Sequence, residues 1–307
     1  MKRFSIAYWA SLLLALPLWF ACQSTTLEEK TTATVVEIPV AAKALTITQS
    51  ETLAQHFGPI IRGAWVNANY LAVVTKTKSP IVAFDSSGYV SEILINPAIK
   101  SGDSLLSGVG YGNHEGGDIT IYFRAGEKPN ALPTNQRDYE SPGSFTELSY
   151  QLSSQDTTLL LTTYNKSRKV VRQAKYQRIP GAGLSQLEAL NYAVNKLLFV
   201  GNYTGVDSIG RPVRIQFTAN GRINGLKGAK KYNVNTDFGA GPGNDIDHLT
   251  LDINSKQSRI LSYSHNADTL RLYSASVIET KLKPGIDDEL IDEKMTKGRL
   301  LFTLIRQ

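Results

Sequence analysis

The stretch Ile60-Ile-Arg-Gly63-Ala-Trp65-Val-Asn67 returns in weaker form as Leu197-Leu-Phe-Val-Gly201-Asn-Tyr203-Thr204. Each copy follows a helix-like segment and opens a long series of alternating strands. A chain that repeats a helix-to-strand junction is constrained to build the same unit twice. The length of 307 residues fits two domains of ordinary size. Residues 46–180 and 181–307 are the expected halves, parted at Pro180-Gly-Ala-Gly183. The plainer alternative is one large sandwich whose strands happen to look alike.

The strands are read from period-2 alternation, which turns one face to a core and the other to water. In the first half it is clearest at Ile119–Phe123 and Leu148–Leu152, followed by Asp156–Leu161 and Lys169–Tyr176. Val213–Phe217, Leu249–Ile253, Asp268–Tyr273 and Leu300–Leu304 are the strands of the second, with Asn220-Gly221 as a hairpin turn. Thr, Val, Ile and 14 Tyr support the all-β reading. Ser50–Phe57 predicts a short leading helix ended by Gly58-Pro59. Ser185 to Glu188 predicts a capping box for a second helix carrying Leu187, Leu190, Val194, Leu197 and Leu198. Ala125–Ser144, rich in Pro, Gly and polar residues, reads as a long exposed loop, and Asp287–Lys294 as an acidic helical insertion.

The N-terminus gives an address. Met1-Lys-Arg is followed by an apolar run, Phe4–Phe20, then Ala21 and the single cysteine, Cys22. One cysteine excludes an intrachain disulfide. A small residue followed by Cys at the end of such a run resembles a bacterial lipoprotein signal, with residues 1–21 removed and Cys22 acylated. Trp19 and Phe20 depart from the usual motif and fit the looser form seen in Bacteroidetes. An ordinary signal peptide with an incidental cysteine, or an uncleaved anchor, are the alternatives. The run is near the short limit for a spanning helix, about 17 residues. Residues 22–45 read as a tether, with Thr32–Ile38 as a possible edge strand and Glu28-Glu29 as a faint sign of surface export. The expected location is the outer membrane of a bacterial envelope, on either face.

Gly63 and Trp65 on the first strand of an antiparallel barrel resemble the lipocalin and wider calycin group, as found in two-lobed lipoproteins of Bacteroidetes. The resemblance implies two tandem lipocalin-like barrels, each preceded by a short helix. It further implies that the Trp plugs one barrel end while a basic residue of the last strand packs across it. Arg172, Lys175 and Arg178 are the candidates for that residue in the first half, and Arg299 and Arg306 in the second, where Tyr203 beside Gly201 replaces the Trp. A barrel of about eight strands either fills with side chains or holds one small ligand. Phe123, Tyr150 and Phe217 are large enough to fill it. Two functions follow: binding of a small or lipid-like ligand in a barrel cavity, or a scaffold lipoprotein with filled barrels acting through its loops.

The remaining candidates are weak. His114, Glu115 and Asp118 lie among glycines and suggest a metal loop, but without a second His or a Cys ligand a solvated hairpin is the better reading. Asp245 and Asp247 suggest calcium, without the spacing of a calcium loop. His56 and His265 stand alone as surface or helix-end residues. Asp103-Ser, Asp156-Thr, Asp207-Ser and Asp268-Thr resemble O-glycosylation acceptors of Bacteroidetes, although Asp-Ser/Thr is also ordinary turn chemistry. There is no Gly-x-Ser-x-Gly elbow, and Asp287 and Asp288 sit in a charged segment, so no enzyme and no cofactor is expected. The net charge of +6, or +4 without Lys2 and Arg3 (31 basic against 27 acidic residues), is too mild for a nucleic-acid partner. Its clusters, Lys166–Arg172 and Lys227–Lys231, lack interleaved aromatics.

Overall fold

The computed structural model describes residues 40–138, 141–154, 156–239, 245–281 and 291–307. The signal segment, Cys22 and the stretch 32–38 lie outside them. Residues Ala41–Gln307 form one compact unit built mainly of antiparallel strands.

Helix α1 (Val40–Ile61) leads into β1 (Gly63–Asn67). It is longer than the sequence suggests: it starts inside the stretch read as tether and passes through Pro59 in its last turn. Seven strands follow: β2 (Val90–Ile95), β3 (Ser104–Tyr111), β4 (Glu115–Tyr122), β5 (Ala131–Pro133), β6 (Phe145–Leu152), β7 (Thr157–Tyr164) and β8 (Val170–Arg178). Their order in the sheet is β4-β3-β2-β1-β8-β7-β6-β5. First and last strands therefore pair, and the remaining gap between β4 and β5 is crossed by the bridge Ile121–Thr134. The sheet is nearly barrel-shaped. Ala125–Ser144 is thus not simply an exposed loop, because it contains β5, the strand that narrows this gap. Three residues ending in Pro133 are too few to show alternation.

The second sheet repeats the cyclic order. Helix α4 (Ala189–Leu198) leads into β9 (Gly201–Asp207), β10 (Pro212–Phe217), β11 (Ile223–Asn224) and β12 (Tyr232–Val234). β13 (His248–Leu251), β14 (Arg259–Asn266), β15 (Thr269–Lys281) and β16 (Ile291–Arg306) complete it, in the order β11-β10-β9-β16-β15-β14-β13-β12. Here the gap falls between β11 and β12, and the bridge Arg222–Lys231 crosses it. In each sheet the seventh strand opens on Asp-Thr: Asp156-Thr157 before β7 and Asp268-Thr269 at β15. Ile291–Lys294, placed by the sequence in an acidic helix, are instead strand β16; the rest of that segment, apart from these residues, lies outside the described ones. β15 and β16 run on as a two-stranded ribbon past the last pairs with β14 and β9, at Ser274 and Phe302.

Two helices were not legible in the sequence, α2 (Ala68–Thr77) and α3 (Pro80–Ala83). The Asn67 side chain caps α2, its Oδ1 accepting from Asn69 and Tyr70 amides at 3.0 and 3.2 Å. Ser79 caps α3, with Pro80 at its start. Tyr70, Leu71 and Val74 of α2 join one core with Leu190, Val194 and Leu198 of α4 and the interior of the second sheet. The first half thereby contributes a helix to the core of the second. A separate core, from Phe57 and Ile61 of α1 through Trp65, Ile93, Leu105, Ile119 and Leu148, fills the first sheet.

The expected capping box does not form. α4 starts at Ala189, and Glu188 makes no side-chain cap. The carboxylate of Glu92 on β2 takes that place, Oε2 accepting from the Leu190 amide at 3.0 Å across 98 residues. Leu187 is released from the helix. It lies over the close-packed Gly108 and Gly116 of β3 and β4, where a Cβ would sit 3.5 Å from it.

Candidate functional site

The two helix-to-strand junctions are built alike. In the first, Trp65 is fully buried and its Nε1 donates to the Ile61 carbonyl at 2.8 Å. Arg178, its cross-strand neighbour on β8, lies with its guanidinium carbon 4.6 Å from the Trp65 ring centroid. The same guanidinium donates to the Ile60 carbonyl in the last turn of α1. Of Arg172, Lys175 and Arg178, it is Arg178 that meets the Trp. In the second junction Arg306, rather than Arg299, is the neighbour of Tyr203. It donates from Nε and Nη2 to the Tyr203 hydroxyl, at 3.1 and 2.9 Å, and from Nη2 to the Leu198 carbonyl at 3.1 Å.

Ile60 and Leu198 each stand three residues before the glycine. Both are helix-end carbonyls, the groups a helix cannot satisfy internally. Gly63 and Gly201 share a φ of 151° and 152°, a conformation side chains rarely adopt. Burial pushes the Tyr203 phenol up, partly offset by Arg306, so the hydroxyl stays neutral and accepts.

Both interiors are occupied by large side chains. In the first, Phe123, Leu105, Val109, Ile119 and Ile121 are buried, with Tyr150 packed edge-on to Phe57. A space of about 60 Å³ lies beside Thr146, Leu161, Thr163 and Tyr176. In the second, Phe199 of the α4 end meets Phe217, Tyr232, Tyr263 and His265 at centroid distances of 4.9–5.6 Å. His265 is therefore part of an aromatic cluster, not a surface residue. Burial, with help from Arg306, pulls its imidazole down to about 4. His56 is exposed and hydrogen-bonds the Tyr150 hydroxyl at 3.0 Å.

The glycine-rich stretches around His114 and Asp247 are where the halves join. His114, in the β3–β4 turn, pairs with Asp237 at 2.8 Å across 123 residues, and this pairing raises its pKa. Asn113 donates to the Thr236 carbonyl at 3.1 Å, and Thr236 to Asn191 of α4 at 3.0 Å. Glu115, next to His114 in the cleft, and Asp118 are both exposed on β4. Asp247 accepts from the Ile81 amide of α3 at 3.1 Å, and burial raises its carboxyl. Asp245 is exposed in the same segment. Among the described residues no group of three or more His, Cys, Asp or Glu side chains is placed to hold a metal ion. A polar cleft of about 190 Å³ runs along this seam between Glu92, Asn113, His114 and Asn191.

A larger depression, about 620 Å³, lies between α2, α4 and the end of β8. Its lining joins parts of the chain more than a hundred residues apart, which no local pattern reveals. Compared with protein-family models, curated proteins and solved structures, the chain gives no match.

Proposed function

We propose that this chain is a non-catalytic, lipid-anchored protein of a bacterial outer membrane. In this reading its two halves are lipocalin-like barrels with filled interiors, and binding takes place on the outer surface. Cys22 is the anchor, and the Gly63–Trp65–Arg178 and Gly201–Tyr203–Arg306 junctions close one end of each barrel. The matched pair of junctions supports the lipocalin-like kinship.

The single observation that carries the surface reading is the filling of both interiors. The space of about 60 Å³ beside Thr146 and Tyr176 is a fraction of the roughly 300–1,000 Å³ of small-molecule sites. A ligand held inside a barrel is therefore the second reading. Among the described residues no helix is long and apolar enough to cross a membrane. In this reading acylated Cys22 makes the attachment.

Metabolic labelling with a radioactive fatty acid, followed by fractionation of the host, tests the anchor. The expected result is an acylated chain in the outer-membrane fraction and an unlabelled Cys22→Ala chain outside it. A wild-type chain that carries no label overturns the proposal.

A further inference from the structure

We infer that the groove between α2 and α4 is a binding site for a single-chain anionic amphiphile, a long-chain fatty acid. The inference rests on the proposed surface-binding reading and names its ligand class. The three walls are the α2 face with Ala68, Leu71 and Ala72, the α4 face with Ala193 and Leu197, and Ile179-Pro180 after β8. Leu71, Ile179 and Ala193 are buried and form an apolar floor, which Ala68, Leu197 and Pro180 extend towards the rim. At about 620 Å³ the groove has the size of a ligand site, ten times the space beside Thr146 and Tyr176.

Charge chooses the ligand. Lys76, in the last turn of α2, and Lys196, in the last turn of α4, both line the groove and are exposed. Neither side chain makes an ion pair or a hydrogen bond among the described residues. A lysine in a last helical turn also complements the helix dipole, so either one alone is ordinary. Here two such cations flank one apolar floor, a third, Arg178, is engaged by Trp65 and the Ile60 carbonyl, and no acidic side chain lines the groove. The lysines' aliphatic stems extend the apolar surface while the ammonium groups stay in water. A lone apolar molecule leaves both charges unanswered, and a small anion leaves the floor wet. A carboxylate on a long alkyl chain satisfies both.

The experiment uses the full chain in its host envelope and a photoreactive, diazirine-bearing C16 fatty acid. The methyl ester of the same probe serves as the uncharged control, and labelled peptides are mapped by mass spectrometry. The expected result is labelling concentrated in peptides containing residues 68–76 and 193–197, with the ester several-fold weaker. Lys76→Glu with Lys196→Glu is expected to lower labelling by the acid about tenfold, the scale of two exposed charge pairs. Its unfolding midpoint is expected to stay within error of wild type. Equal labelling by acid and ester, undiminished labelling of the double variant, or no labelling of the groove overturns the inference and leaves the surface-binding reading standing. Label concentrated on inward positions of the strands, such as Val109 or Leu249, overturns both.

Discussion

The two junctions solve one problem with different atoms. In the first half the Arg178 guanidinium lies against the Trp65 ring face, and the indole nitrogen satisfies a helix-end carbonyl. In the second the Arg306 guanidinium is 5.5 Å from the Tyr203 ring centroid, and the phenol oxygen takes two of its hydrogen bonds. What is kept is the arginine reaching the carbonyl three residues before the glycine. The aromatic residue is free to vary provided it gives the arginine either a face or an acceptor. The first junction thus adds a buried ring face to its hydrogen bonds, whereas the second relies on polar atoms around a smaller ring.

That contrast orders the expected effects. Trp65→Ala removes a fully buried ring and is expected to cost about 3–5 kcal/mol. Tyr203→Phe, which keeps the ring, is expected to cost about 1.5–3 kcal/mol by leaving charged donors unpaired. Urea unfolding of each variant measures both. A Tyr203→Phe chain as stable as wild type breaks the contrast.

In acid, His265 should cost the fold up to about 3 kcal/mol of stability. His265 is held at about 4 against an ordinary 6.5, so the unfolded chain takes up a proton first as pH falls. This contribution to stability is full above pH 6.5 and is lost as pH drops towards 4. Glu92 and Asp247, whose carboxyls are raised, act in the opposite sense over the acid range. Comparing wild type with His265→Phe at pH 4.5 and 7.5 isolates the histidine. An unchanged difference between the two pH values removes it from the account.

Double-mutant cycles sharpen the comparison further. Coupling between Trp65 and Arg178 is expected at about 0.5–2 kcal/mol, and between Tyr203 and Arg306 at about 1.5–3 kcal/mol. Equal couplings would erase the distinction between a face and an acceptor. The smallest difference lies at the glycines. Gly63→Ala and Gly201→Ala should each cost about 1–3 kcal/mol through backbone strain. Gly63 is expected to be the worse, because its Cβ would meet Trp65 and Arg178 atoms at 3.2 Å, against 3.4 Å from Arg306 at Gly201.

What was legible in the sequence was local. Alternation at Ile119–Phe123 and Leu148–Leu152 marks β4 and β6 because both have one face in a core. The repeated Gly-x-aromatic stretch marks the junctions because each needs glycine's backbone freedom. What was hidden depends on distant partners. The α2 segment carries Val73, Val74 and Thr75, poor helix formers on propensity; packing of Tyr70, Leu71 and Val74 against the second core overrides that. The α4 start looked self-capped, yet its cap comes from Glu92. His114 reads as a solvated turn residue because its partner, Asp237, sits in the other half. The groove was invisible for the same reason.

Filled interiors are the claim on which the functional reading turns, and enlarging a side chain inside each half tests it most directly. Val109 and Val234 are 0 % and 1 % exposed, one in each core. The unfolding free energies of Val109→Phe and Val234→Phe should each fall by about 1–3 kcal/mol, the cost of overpacking a full core. A chain that accepts either ring without loss has spare room inside, which contradicts the account and returns the ligand to the barrel.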